Sequence, residues 1–471
     1  MAFGSGHRSA YDDAVGSLQF DTKMSDAEAL MWRLEKDPHL SSTFANIMLL
    51  DQMPDMARLR RRLDTATRTI ARLRQRVRPA PGGFSPPTWV EDHEFDIDYH
   101  LRHISLPKPS SVRHLLDLAA QIVADPFDRN RPLWQFTVVQ GVGGRAAIIE
   151  KLHHTIADGE RGVELSLSFL DFERDANELP DPAMTPDADR PGEPSAPGLV
   201  RDALIGGLRF PLGILRQVSA LVTDPAQVPA TTAALGKTAR GIMAQLAETE
   251  SARSPLWTQR SIHRRLEVTR APFHETKRAA KALGGTLNTA FLTAAAEAAS
   301  RYHEAMDTPV EYLRASMAIS TRTEESGANA FSLVRMLVPT SPMPIAERFC
   351  AIQEISEAAR LRSESASLET VATLAGGLPT SVITRLARQQ AETVDFATSN
   401  VRGSPVPVYV AGAKLLENYP VGPLAGVAFN LTLLSYMGSL DTCANIDTAA
   451  VADPKLLARS LKQSFAALIA T

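Results

Sequence analysis

A passage crowded with proline and aspartate interrupts this chain of 471 residues. From Leu179 to Gly198 it holds Pro180, Pro182, Pro186, Pro191, Pro194 and Pro197 and almost no large apolar side chain. Proline fixes its own φ and removes a backbone donor, so such a stretch can be neither a helix nor an interior strand. It reads as a linker. Domains usually run to roughly 100–200 residues, so two halves are expected. Residues 1–178 form the first, 179–254 a linker and crossover segment, and 255–471 the second. Within the crossover, Leu204, Ile205, Leu208, Phe210, Leu212, Ile214 and Leu215 lie among too many glycines and prolines for one helix over Leu199 to Leu246. Two readings stay open for it: a packed connection, or an interfacial segment resting on lipid around Arg209 and Arg216.

Patterning on either side is mixed. Leu59, Leu63, Ile70, Leu73 and Val77 recur at helical intervals among Arg60, Arg61, Arg62, Arg68, Arg72, Arg74, Arg76 and Arg78, which predicts an amphipathic surface helix with a solvated arginine face. A strand near Leu101 to Leu106 and a helix from Val112 to Asp125 follow. Extended runs from Gln135 to Gln140 and Arg145 to Leu152, joined by Gly141-Val142-Gly143-Gly144, read as a hairpin. The second half predicts helices at Thr269 to Leu283 (stopped by Gly284-Gly285), Thr286 to Tyr302, Ile345 to Arg362, Glu369 to Leu374 and Pro454 to Ile469. Its strands are expected at Glu311 to Ile319, Ser332 to Pro339, Pro407 to Val410 and Val427 to Ser435. Helices and strands in both halves, without regular alternation, imply layered α/β sandwiches.

Several function classes drop out. A formal charge of -3 creates no broad field for a polyanion, so nucleic acid is not an expected partner. Cys350 and Cys443 have neither metal-ligand nor redox spacing and read as two reduced core thiols. Met1 to Lys23 carries Asp12, Asp13 and Asp21 without an apolar run, unlike a secretory signal. No uncharged apolar stretch approaches the roughly 18 residues of a bilayer-spanning helix. A cytoplasmic protein is expected, with peripheral contact at the inner membrane surface or at lipid droplets as a further expectation.

Chemistry concentrates in His153-His154-Thr155-Ile156-Ala157-Asp158-Gly159. If the strand from Arg145 continues through it, the two imidazoles point in roughly opposite directions, and only one faces a given substrate. A histidine with an ordinary pKa of about 6.5 is largely neutral at cytosolic pH and able to accept a hydroxyl proton. Adjacent histidines on a strand diverge, and no His-Glu-x-x-His partner occurs, so no metal is expected. No Gly-x-Ser-x-Gly elbow supports a serine hydrolase. On these residues alone, a satisfied turn and an acid-base site both remain.

His153-His154-x-x-x-Asp158-Gly159 resembles the active-site motif of the superfamily that includes chloramphenicol acetyltransferase, plant alcohol acyltransferases and peptide-synthetase condensation domains. Its surroundings resemble the bacterial wax ester synthase and diacylglycerol acyltransferase family along most of the chain. Pro87-Thr88-Trp89-Val90-Glu91-Asp92, with Phe95-Asp96-Ile97 and His100, is similar to the family's segment before the active site. Arg131-Pro132-Leu133-Trp134 matches its Pro-Leu-Trp motif. Leu283-Gly284-Gly285-Thr286-Leu287-Asn288 resembles the start of its Asn-Asp helix, and Ser399-Asn400-Val401 with Gly403 its Asn-Val-Pro-Gly-Pro turn. The chain departs at Thr289, where the family has Asp, and at Arg402-Gly403-Ser404-Pro405.

The resemblance implies two chloramphenicol acetyltransferase-like α/β sandwich halves with a channel between them and His154 near its middle. It further implies long-chain O-acyl transfer from fatty acyl-CoA to diacylglycerol, forming triacylglycerol, or to a long-chain alcohol, forming a wax ester. His154 is then the general base. His153 shapes the site, Asp158 holds the loop, and Gly159, Pro132, Leu133, Trp134, Asn288, Asn400 and Gly403 support site or channel. Acyl-CoA is a substrate, and no cofactor is called for. A carrier-dependent condensation enzyme and a degenerate lipid or acyl-CoA binder are the alternatives.

Overall fold

The glycine-rich junction does form a hairpin. Strands Trp134–Val142 (β5) and Arg145–His153 (β6) pair antiparallel, and Gly143 and Gly144 turn between them at φ 58° and 85°, values that suit a residue without Cβ. The computed structural model describes residues 21–80, 85–156, 165–166, 168–176, 254–320, 331–363, 372 and 380–471. The linker, nearly all of the crossover and most of the expected helix from Glu369 to Leu374 lie outside them.

The remaining strands are Thr43–Leu50 (β1), Gln75–Arg78 (β2), Thr88–Glu91 (β3), Leu101–Ser105 (β4), Leu170–Asp171 (β7), Arg264–Pro272 (β8), Tyr312–Ser320 (β9), Phe331–Pro339 (β10), Phe396–Arg402 (β11), Tyr409–Val410 (β12), Ala413–Val421 (β13), Phe429–Tyr436 (β14) and Ser439–Asp447 (β15). A seven-stranded sheet runs β4-β5-β6-β1-β13-β12-β7 and a six-stranded sheet β10-β9-β11-β14-β15-β8; β2 and β3 pair separately. The second half thus lends β12 and β13 to the first sheet.

Strand alternation divides β6 between two cores. Ala146, Ile148 and Leu152 join Leu59, Leu63, Trp89 and Trp134 on one face. Ala147 and Ile149 meet Leu115, Leu116 and Ala119 of helix Val112–Ala124 on the other, together with Leu266, Tyr419 and Cys443 from the second half. Burial on both faces explains the nearly continuous apolar run of β6. Behind the second sheet lies the alanine-rich helix Leu287–Ala305, capped at its N-terminus by Thr286, with helix Pro454–Ile469 packed against both.

Several expectations change. The arginine-rich helix spans only Met56–Thr69; Ile70 is extended, and Val77 is buried on β2. Nor are its arginines uniformly solvated. Arg62 is buried and lies 2.6 Å from Asp171, and buried Arg72 stacks its guanidinium 4.1 Å from the Trp89 ring. Of the two thiols only Cys443 is in the core, where burial pushes it up; Cys350 is exposed. Thr269 to Pro272 belong to β8, so the next helix begins at Phe273. No helix among the described residues is long and apolar enough to cross a membrane.

Candidate active site

The two histidines occupy different surroundings, as a strand end requires. His153 is the last residue of β6, opposite Thr43 of β1, and its backbone N–H donates to Leu133 O at 3.1 Å. Its ring is 1% exposed. Nδ1 accepts from the Thr155 N–H at 3.2 Å and meets the Thr155 hydroxyl at 2.8 Å. Nε2, on the other side of the ring, lies 3.0 Å from Glu35 Oε2. Phe127 lies edge-on to the ring.

Glu35 follows helix Asp26–Leu34, which a capping box between Ser25 and Glu28 starts. The Glu35 carboxylate accepts from Ser41 Oγ at 2.7 Å, Ser42 N at 2.7 Å and, at 3.4 Å, Thr43 Oγ1. Burial pushes its pKa up, but His153 and these donors outweigh that and hold it at about 2, against an ordinary 4.5. Ser42 in turn accepts the His154 N–H at 3.2 Å through its carbonyl. One carboxylate therefore ties the ring of His153 to the segment that holds the backbone of His154.

His154 is half-buried, its ring 4.7 Å from that of Phe44, which stands on the same face as Asn46. Glu150, opposite Asn46 in the β1–β6 register, is fully buried. It accepts from Ser166 Oγ at 3.0 and 3.1 Å, and burial pushes its carboxyl up to about 7. Asp158 and Gly159 lie outside the described residues.

The Pro132-Leu133-Trp134 segment positions β5 against this strand end. Besides the Leu133 carbonyl on His153, the buried Trp134 indole donates to Leu73 O at 2.8 Å, and the Trp134 carbonyl accepts from His100 Nδ1 at 2.7 Å. Burial lowers His100 to about 4, so it is a neutral ring stacked 4.4 Å from Trp134. Arg131 donates to Glu94 O at 2.7 Å.

Asn288 and Asn400 come together across the second sheet and its helix, Asn400 Nδ2 donating to Asn288 Oδ1 at 2.5 Å. Thr289 hydrogen-bonds the Thr286 hydroxyl at 2.9 Å and donates to Gln353 Oε1. Gly403 is required sterically: a Cβ there would sit 2.4 Å from Ser435 O. Val401 packs on the cluster that holds Leu133, Trp134, Leu152 and Ile156. The asparagine turn and the histidine strand thereby share one apolar support. Glu35 and Phe44 carried no spacing signal, because their relation to the histidines arises only when β1 pairs with β6; Thr155 lies within the histidine segment, and its contact with the His153 ring is local.

Comparison with known proteins shows the family and the fold. The wax ester synthase/diacylglycerol acyltransferase catalytic domain matches residues 24–291, and that family's C-terminal domain matches residues 327–469. A Mycobacterium tuberculosis H37Rv protein named as a diacylglycerol O-acyltransferase is 32% identical over 467 residues, covering 96% of this chain and 93% of the relative. A second one from that strain is 28% identical over 469 residues, covering 95% and 97%. Among solved structures, the wax ester synthase/diacylglycerol acyltransferase of Marinobacter aquaeolei VT8 aligns with a TM-score of 0.65 at 21% identity, covering 95% of this chain and 98% of that one. The first condensation domain of the calcium-dependent antibiotic synthetase aligns at 0.59 with 15% identity, covering 96% of each, a likeness of fold alone. The chain belongs to the wax ester synthase/diacylglycerol acyltransferase family.

Proposed function

We propose that this chain transfers a long-chain fatty acyl group from acyl-CoA to the free hydroxyl of diacylglycerol, forming triacylglycerol, with long-chain alcohols as second acceptors and His154 as base. The observation that carries the assignment is the asymmetry of the histidine pair. Thr155 holds Nδ1 of the fully buried His153 and Glu35 lies 3.0 Å from its Nε2, while His154 stands half-buried beside Phe44.

In this mechanism His154 takes the acceptor proton as the hydroxyl oxygen attacks the thioester carbonyl. The tetrahedral oxyanion collapses, the C–S bond breaks, and the imidazolium returns the proton to the departing CoA thiolate. Ester and free CoA are the products, so the reaction needs no cofactor. His153 keeps the strand end in register, and Asn288 with Asn400 links helix to turn beside the site. Because the acceptors are insoluble in water, transfer would occur where a cytoplasmic protein touches a membrane surface or a lipid droplet.

Incubating purified protein with labelled palmitoyl-CoA and either diolein or hexadecanol, then resolving the lipids, tests the reaction and ranks the acceptors. His154→Ala is expected to lose about 10² to 10⁴-fold in turnover, the usual contribution of a general base. Near-normal turnover in folded His154→Ala would remove the base assignment. No ester from either acceptor would leave a lipid or acyl-CoA binder. Co-flotation with liposomes tests the surface contact; protein staying with the soluble fraction would refute it.

A further inference from the structure

β8 enters the second sheet at Arg264, opposite Asp447 of β15. Alternation places Arg264, Leu266 and Val268 on one face of the strand. Leu266 and Val268 on that face pack with Ala45, Ile47, Ala147 and Ile149 of the first sheet. Arg264 therefore extends from the second sheet toward the end of β6, where the same face of β6 continues through Lys151 and His153. Among the described residues, its buried Nε and Nη1 have no hydrogen-bond partner.

The two described carboxylates that attract Arg264, Glu35 and Asp447, are hydrogen-bonded elsewhere. Asp447 accepts from the Ser261 N–H and hydroxyl, both at 2.6 Å, and from Ala449 N at 2.9 Å. Glu35 holds Ser41, Ser42 and His153. Arg113 and Arg265, by contrast, both reach Glu267. A second cation stands near Arg264: Lys151 is buried, donates to Asp125 O at 2.6 Å and lies 4.3 Å from the centre of the Phe127 ring. Burial lowers Lys151 to about 8; Asp125 and Glu35 oppose the shift, and Arg102 and Arg264 add to it by repulsion. A desolvated guanidinium edge without an acceptor among the described residues, attracted only at a distance by Glu35 and Asp447 and set beside another cation, is costly until an anion meets it.

We propose that Arg264 binds a phosphate of the coenzyme A moiety of the thioester donor at this seam, with Lys151 adding positive potential behind it. The inference rests on the acyl-CoA reading above, in which the donor is the one polyanionic reactant and both acceptors are uncharged. A guanidinium fork matches phosphate oxygens in pairs, which an ammonium does not. The seam lies on the His153 side of the strand, so a phosphate held there would anchor the far end of the donor, whose long pantetheine arm would pass the end of the strand to bring the thioester to His154 on the other side.

Calorimetric titration of full-length wild type and Arg264→Gln with CoA, 3′-dephospho-CoA and pantetheine tests this without requiring turnover. CoA is expected to bind Arg264→Gln at least about tenfold more weakly, the scale of one charge-assisted hydrogen bond. Pantetheine, which lacks the nucleotide phosphates, is expected to bind both proteins alike. Arg264→Lys should recover part of the loss. A variant of native melting temperature that binds CoA as wild type does, or that loses pantetheine equally, overturns the proposal. Should Arg264→Gln not fold, wild type binding CoA no tighter than pantetheine overturns it as well. Vesicles of phosphatidylglycerol provide the other source of phosphate, and Arg264-dependent vesicle binding without Arg264-dependent CoA binding would refute the donor assignment. Arg264-dependent CoA binding without ester formation would sink the acyltransferase reading and leave the phosphate site standing. Ester formation at wild-type KM for palmitoyl-CoA in Arg264→Gln would do the reverse.

Discussion

Replacing Glu35 by glutamine keeps its shape and removes its charge, and the structure sets the scale of the result. A carboxyl held at about 2 instead of 4.5 contributes about 3 kcal/mol to stability at neutral pH, since each pKa unit is worth about 1.4 kcal/mol. Its side chain is 10% exposed, so solvent screens little of this. Because the folded value is depressed, the contribution is complete above the unfolded value of 4.5 and is lost as pH falls toward 2. At pH 3.5 it is reduced to about 2 kcal/mol. Urea unfolding of wild type and Glu35→Gln at pH 7, 4.5 and 3.5 should therefore show a gap near 3 kcal/mol that narrows with acid. Turnover should fall too, because Ser42 and the His154 backbone relax together. A gap that stays constant between pH 7 and pH 3.5 would refute the reasoning, since a side chain that merely fills space has no such dependence.

Other substitutions probe the supports. Gly403→Ala forces a Cβ against the Ser435 carbonyl, a backbone atom that cannot swing aside, and should cost about 1–3 kcal/mol in denaturant unfolding. Trp134→Ala empties a side chain 1% exposed and should cost about 3–5 kcal/mol while lowering turnover through the neighbouring Leu133 carbonyl; an unchanged melting temperature would contradict the packing. Glu297→Ala strands Arg348, which is 1% exposed and 2.9 Å from the carboxylate, and should cost about 3–5 kcal/mol. Replacing Glu297 and Arg348 together by apolar residues of similar volume should recover much of that loss in the same unfolding assay.

Elements with strong local signals were legible from sequence. Helix Pro454–Ile469 begins and ends where its pattern places it, because Asp453 caps Leu456 N and proline occupies the first turn. The β5–β6 hairpin follows from its glycines. Elements defined by distant partners were not legible. Nothing local distinguishes Thr43 to Leu50, yet β1 is the central strand between β6 and β13. Helical spacing ran through Ile70 to Val77 because apolar period alone cannot tell a helix from a helix, a turn and a short strand that all bury residues in the same cluster. The four motifs located Leu133, His153, Asn288 and Asn400, but Glu35 and Arg264 depend on which strands meet.

The same topology explains why the departures at Thr289 and Arg402 leave the site's supports in place. At Thr289 the side chain is 3% exposed and engages Thr286 and Gln353, so threonine satisfies that buried corner by a hydroxyl that both accepts and donates. At 402 the side chain is exposed on the last residue of β11, where no close packing selects its type. The demanding positions flank it: Asn400 reaches Asn288, Val401 packs on the cluster under the histidine strand, and Gly403 passes too close to Ser435 for any Cβ. All three are retained here. A substitution is tolerated where the turn faces solvent and excluded where it faces helix, cluster or strand, so Arg402→Pro should alter stability far less than Gly403→Ala in the same denaturant titration.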